Sequence, residues 1–350
     1  MVKTTCIGAY PKPDYVDLPD WFNHPDGPDA TDPTERWSGA MNALGDDAES
    51  IISRGVQEVI ADQVEAGIDI PTDGEVPREN YIHYHCRHIK GIDFGVLTEV
   101  SLRNGAYSAQ LPTVIGPVSA RNIFLVRDWK RAQGCTDRPI KITIPGPMTI
   151  TDTTADAYYD NAERLGAKLA DALNREVIAL AEAGCSNIQV DEPLFARKPA
   201  AALDYGFENL ERTFHRCPKN VIRTVHMCCG YPDRLDNPDY PKADLDSYNK
   251  LADAIEYSSI MAVSFEDAHR HNDLSLLDRF NQTHVILGVI AVAKSKVESV
   301  GEIRDRLVSA LEHIDADRLL AAPDCGLGLL SRELARSKLS NMCEAVRTIG

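Results

Sequence analysis

Two periodicities alternate along the chain. Short runs of apolar and β-branched residues read as buried strands, and longer stretches with apolar residues three and four apart read as amphipathic helices. The first run, residues 4–10, ends at Pro11-Lys-Pro13. Helical spacing sets in over residues 47–66, where Ile51, Ile52, Val56, Val59, Ile60 and Val64 share a stripe that Gly67 stops. A strand at residue 68 then leads into a loop carrying Asp73 and Glu75. Alternation and turn residues over 96–118 predict an inserted hairpin, followed by a helix over 122–133. Further strands are expected at 140–145, 187–190, 221–227, 259–265, 284–292 and 319–324, with helices over 162–183, 203–215, 247–257, 300–313 and 331–348. Gly184 ends the long helix, and a Pro/Asp-rich loop fills 231–246.

This rhythm of strands separated by helices predicts a parallel sheet, and eight such strands predict a closed (β/α)8 barrel. The 350 residues would then form one domain with loop insertions, although the length alone also fits two ordinary domains. Polar residues support the barrel by their positions. Glu75, Asp191, His226, Glu266, Lys294 and Cys325 each follow an apolar run or end one. In a barrel those ends share one rim, where active sites sit. Polar residues end strands of any kind, so the carboxylates alone are weak support; a histidine with two cysteines is stronger.

Composition narrows the functions. A formal net charge of −16 argues against nucleic acid and anionic membrane surfaces as partners. No apolar run is long enough to span a bilayer, and the first residues lack the basic-then-apolar order of a signal peptide, so the cytoplasm is expected. Nine cysteines, an odd number at irregular spacing, are not a disulfide framework.

The stretch Val221-Ile-Arg-Thr-Val-His-Met-Cys-Cys-Gly230 carries the sharpest chemistry. Residues two apart on a strand face the same way, so His226 and Cys228 leave the strand end side by side. Such a soft N/S pair suits zinc; the plain alternative is a satisfied core histidine beside an inert thiol. Cys325 from the last strand and Glu266 from the strand between would complete a four-ligand set. The paired spacing of a small structural zinc module is absent. Ligands drawn from separate strand ends, one of them exchangeable, suit a catalytic Zn2+ that turns a bound thiol into a thiolate. Cys229 should face the core. His83, His85 and His88 form a separate cluster, and Trp21 with Phe22 reads as a lid or substrate wall in a polar loop.

These residues also carry a resemblance. Thr4-Thr-Cys-Ile-Gly-Ala-Tyr-Pro11, Asp73-Gly-Glu75, Gln189-Val-Asp-Glu-Pro193, His226-Met-Cys228, Ser264-Phe-Glu266 and Pro323-Asp-Cys-Gly326 resemble the catalytic, C-terminal domain of cobalamin-independent methionine synthases, nearly end to end. The resemblance implies a zinc held by His226, Cys228, Glu266 and Cys325. It implies that the amino-acid part of homocysteine lies near the first strand, at Ile7 and Ala9, and against Glu75 and Asp191. The family has Ser where this chain has Ala9, and an Asp and a His where this chain reads Gly288-Val-Ile-Ala-Val-Ala-Lys294. The N-terminal folate-assisting half of the full-length enzymes is not expected, and residues 231–246 read as an insertion.

The expected activity is therefore transfer of a methyl group to a zinc-activated thiol, most simply homocysteine to give methionine, with Asp191 and Lys294 as candidate catalytic side chains. The partners are a small-molecule thiol and an alkyl donor; a corrinoid-protein donor and a homo-oligomer stay open. Alkylation of coenzyme M is one alternative, with Lys294, Lys296 or Arg78 on the sulfonate, although Glu75 and Asp191 suit an ammonium better. A metal-free barrel of the uroporphyrinogen decarboxylase type is another, and a non-catalytic zinc- or thiol-binding barrel a third.

Overall fold

The strand runs predicted from the sequence lie side by side as one curled parallel sheet. A computed structural model of the chain describes residues 1–23, 32–102, 107–237 and 240–349. In chain order its strands are β1 (Lys3–Thr4), β2 (Ile89–Leu102), β3 (Tyr107–Ala120), β4 (Lys141–Pro145), β5 (Ala155–Asp156), β6 (Asn187–Asp191), β7 (Ile222–Met227), β8 (Ala262–Phe265), β9 (His284–Ile290) and β10 (Leu319–Pro323). The main sheet runs β1-β10-β9-β8-β7-β6-β4, every neighbour parallel. Two parallel bridges, Thr5 to Ile70 and Thr72 to Lys141, join its edges through the segment at residues 70–72. That segment is the second stave of the predicted (β/α)8 barrel, reduced to single bridges.

Gln63 explains how so short a stave holds. Its side-chain amide donates to the Thr72 carbonyl at 3.0 Å and accepts from the Thr72 N–H at 2.9 Å. A helix side chain thus does for Thr72 what a neighbouring strand does elsewhere in the ring. Gln63 is fully buried, as such a substitution requires.

Helices follow the strands on the outside. Ala48–Ala66 buries Ile52, Val56, Val59 and Ile60, and Gly67 ends it at φ +111°. Ala162–Ala183 starts where the Asn161 side chain accepts from Arg164 N–H at 2.8 Å and ends at Gly184, φ +105°. The inserted hairpin is longer than the alternation predicted, since β2 and β3 pair antiparallel from Ile89 with Ala120 to Leu102 with Tyr107. Several elements were not anticipated. Asp32–Leu44 is a helix that begins at the end of the polar loop expected over residues 14–34, its sparse stripe of Trp37, Met41 and Leu44 lying half-buried on the core. Pro193–Arg197 is a short helix where a turn was expected, opened by a proline at its first position. No helix among the described residues is long and apolar enough to cross a membrane.

Candidate active site

Strands β7, β8 and β10 bring the thiol and imidazole groups to one place. His226 is the next-to-last residue of β7, Cys228 lies just beyond the strand, and Cys325 follows β10. One ligand atom from each of the three lies within 4.8 Å of the other two. His226 Nδ1 is 3.0 Å from Ser264 Oγ on β8, and its buried Nε2 has no hydrogen-bond partner. Burial holds the imidazole at a pKa of about 3, so it is neutral and offers a lone pair. The Cys228 thiol is pushed well up by its contact with Cys325 and by burial. An orphaned ring nitrogen beside two thiols in a buried site is a donor set that a soft divalent cation fits.

Glu266, just after β8, stands beside these three. Its Oε1 accepts the Cys229 N–H at 2.9 Å, while Oε2 has no hydrogen bond. Burial, then the neighbouring Cys228 and Asp324, push its carboxyl well up. It also groups with His269 and Asp324. Asp324 accepts the N–H groups of Asp267, Ala268 and His269 at 2.8–2.9 Å, and His269 Nδ1 at 2.6 Å. One buried carboxylate thus ties the loop after β8 to the loop after β10. His269 Nε2 accepts the Ala293 N–H at 3.0 Å, so neither ring nitrogen is free. His271 is exposed beside Asp267. Cys229 faces away from the thiol pair, its Sγ bonded to Tyr248 Oη at 3.1 Å.

A second polar cluster faces the first across the barrel mouth. Glu75 follows Gly74 in a left-handed turn, φ +56° and +66°. Its Oε1 accepts from Thr143 Oγ1 at 2.6 Å and from Arg78 at 3.3 Å. Arg78 is itself enclosed by Asp73, Glu75 and the Thr143 carbonyl and hydroxyl. Asp191 ends β6, and its Oδ1 accepts from Gln189 Nε2 at 2.7 Å. Burial raises both carboxyls, and the charge of Glu75 raises Asp191 further. Arg78 is divided between Asp73 and Glu75, and Asp191 feels Arg78 and the buried Lys141 only through space, so an ammonium placed between Glu75 and Asp191 would meet two buried carboxyl acceptors. Gly8 keeps the wall thin here, since a Cβ on it would stand 2.7 Å from Glu75 Oε1.

Both clusters open into one cavity of about 140 Å³. Ile7, Ala9, Glu75, Asp191, His226, Cys228 and Cys325 all line it. Trp21 and Phe22 line it too, as the expected wall. They are joined by Tyr81 and Tyr231, which the sequence reading missed, with ring centroids 5.0–5.6 Å apart along the chain Tyr81–Trp21–Phe22–Tyr231. Arg197, also missed, is the basic residue of the lining, and its side chain has no hydrogen bond or ion pair among the described residues. Its only signal in the sequence is its place just after Asp191-Glu-Pro193.

Other expected residues lie elsewhere. Lys294 is exposed and lines a separate outer hollow with Asp267 and Glu302, because the chain turns outward after β9. That placement removes it as a catalytic candidate. Lys296 is exposed and paired with Glu302 at 2.6 Å. Together with the enclosed Arg78, this leaves none of the three cations proposed for a sulfonate facing the cavity. His83 bonds Thr34 and the Thr153 carbonyl, His85 bonds the Tyr81 carbonyl, and His88 stacks on Phe124 at 3.8 Å. These three pack the short helix Tyr81–Cys86 and its end, and none lines the cavity.

Comparison with known proteins gives a consistent answer. The family model for the catalytic domain of cobalamin-independent synthase matches residues 25–215 and 243–348, and the break between them covers most of the 231–246 loop. The methionine synthase of Saccharolobus solfataricus is 29% identical over 354 residues, covering 100% of this chain and 95% of that one. That of Sulfolobus acidocaldarius is 28% identical over 344 residues, covering 98% and 90%. Among solved structures, a B12-independent methionine synthase from Shewanella sp. W3-18-1 in complex with selenomethionine superposes with a TM-score of 0.85 at 30% identity, covering 100% of this chain and 98% of that one. A methyltransferase from Methanosarcina mazei, 12% identical with a TM-score of 0.60 and covering 99% and 94%, shares the fold.

Proposed function

Because the chain belongs to the cobalamin-independent synthase catalytic-domain family, we propose that this methyltransferase of the methionine synthase type is zinc-dependent and methylates homocysteine to methionine. One observation carries the reading: a thiol–imidazole cluster and a pair of under-compensated carboxylates open into the same small cavity. Homocysteine presents a thiol to the first and an ammonium to the second. The Shewanella relative was solved with selenomethionine, which has the shape of the proposed product.

His226, Cys228 and Cys325 would hold the zinc, with Glu266 as an exchangeable fourth ligand. Zinc bound there supplies the charge that keeps a substrate thiol deprotonated at neutral pH. Ser264 fixes the ring of His226 through Nδ1. Glu75 and Asp191 accept the substrate ammonium, and Asp191, pushed well up by burial, can hold a proton beside it. Arg197 is the cation available to the substrate carboxylate, where the family's serine is replaced by Ala9. The aromatic wall from Tyr81 to Tyr231 shields the thiol from water and gives a flat methyl donor a surface to stack on.

The test is metal content followed by thiol choice. Purified protein should hold about one zinc per chain, lost in Cys325→Ser, and should consume homocysteine in preference to coenzyme M when supplied with methyl donors. Protein without zinc, or with coenzyme M as the better acceptor, would contradict the proposal.

A further inference from the structure

Residues 231–237 and 240–246, mostly in the stretch where the family match breaks, lie next to the thiols. This loop is pinned at several points. Tyr231 Oη donates to the Gly326 carbonyl at 2.9 Å, Ala243 N–H donates to the Cys229 carbonyl at 2.8 Å, and Arg270 donates to the Ala243 carbonyl at 2.7 Å. Gly230 turns the chain into it at φ +156°, where a Cβ would stand 2.4 Å from the Pro241 carbonyl oxygen. These contacts fix Lys242 between Pro241 and the anchored Ala243.

Lys242 Nζ lies 3.6 Å from Glu266 Oε2 and 4.6 Å from the centroid of the Tyr240 ring. It makes no hydrogen bond among the described residues, and neither does Glu266 Oε2. The other oxygen, Oε1, is held by Cys229 N–H. Glu266 therefore has one oxygen fixed by Cys229 N–H and an Oε2 that faces the Lys242 ammonium, while its carboxyl also meets the Cys228 thiol. The tight three-atom cluster comprises His226, Cys228 and Cys325, and Glu266 groups with His269 and Asp324 beside it.

We infer that Lys242 is a positioning residue that competes with the metal for Glu266 Oε2 and so keeps the fourth coordination position open to the substrate thiol. The inference rests on the zinc reading above. Opposite charges a little beyond hydrogen-bond distance in a mostly buried site attract strongly, so the carboxylate has two attractive seats. With Lys242 present, a thiol can displace Glu266, because the released carboxylate has a cation to go to. Without Lys242, the released carboxylate would be buried and unpaired, so it would stay on the metal.

The experiment uses full-length Lys242→Met and Lys242→Arg beside the unmodified protein, with thermal melts to confirm folding. Zinc affinity is read by chelator competition in the absence of thiol. Thiol entry is read from the visible spectrum of the cobalt(II)-substituted protein during a homocysteine titration. Lys242→Met should bind zinc about tenfold tighter and need about tenfold more homocysteine for half of the spectral change, a shift of about 1.4 kcal/mol in each equilibrium. Lys242→Arg should behave like the unmodified protein. Should Lys242→Met fold poorly, Lys242→Gln carries the same expectation. A lysine that only pins the loop would leave both readings unchanged in Lys242→Met, which would overturn the inference while leaving the zinc reading intact. Unmodified protein that binds neither ion would overturn both.

Discussion

His226 is a histidine that stays neutral in the folded protein across the ordinary pH range, because burial holds it at about 3. A metal binding there displaces no proton from it. Cys228 is the opposite case: its contact with Cys325 and its burial keep the thiol protonated until a cation arrives. Binding therefore releases protons from sulfur, and raising the pH favours the bound state. Zinc affinity should climb about tenfold per pH unit for each thiol proton released, between about pH 6 and 8. Calorimetry in buffers of different ionisation enthalpy counts those protons directly; a flat pH profile would mean that the thiols are not ligands. Burial likewise raises the carboxyls of Glu75 and Asp191, with Arg78 opposing it at Glu75.

At the scale of elements, the strand ends are held by cross-ties between neighbouring loops. Gly146 follows β4, and Glu192 follows β6 beside it. The Glu192 carboxylate accepts the Met148 and Thr149 N–H groups at 2.9 and 3.0 Å and the Thr149 hydroxyl at 2.7 Å, so it caps the helix Pro147–Asp152 from the next loop. A Cβ on Gly146 would stand 2.0 Å from Glu192 Cδ. Gly146→Ala should therefore cost about 1–3 kcal/mol, as overpacking in a filled interior does. The measurement is denaturant unfolding, with the midpoint falling at unchanged slope; an unchanged midpoint would mean that the loop yields freely. The Asp191-Glu-Pro193 motif does not by itself separate the roles of its two acids, because a capping carboxylate and a substrate-binding one look alike in one dimension.

The whole molecule depends on closing a ring whose second stave is nearly missing. Seven strands form a continuous ladder, and the gap is bridged at Thr5–Ile70 and Thr72–Lys141. Gln63 satisfies both backbone groups of Thr72. Gln63→Leu keeps much of the volume and leaves a buried N–H and carbonyl unpaired, each worth about 1–3 kcal/mol. The expected outcome is a lower unfolding midpoint together with faster hydrogen exchange at the Thr72 amide. A variant as stable as the parent would show that the seam does not rely on this side chain.

The sequence by itself determined the order of the main-sheet strands and the long helices and the ends at which the chemistry sits. Periodicity is a local property, and a strand's residue spacing already puts His226 and Cys228 on one face. It also marked Glu75, Asp191 and Cys325 as strand-end residues, which a barrel must gather on one rim. Only the tertiary structure decided which strand-end side chains turn inward. Lys294 and Arg197 are both basic residues shortly after a strand; one leaves with an outward loop and the other enters the cavity from a short helix. Local pattern cannot separate them, because a charge with no close neighbour in the chain is oriented by packing that arrives from elsewhere. The same holds for Lys242, whose partner Glu266 lies just after the next strand. Their 3.6 Å approach exists only because Cys229, Ala243 and Arg270 pin the loop across the rim.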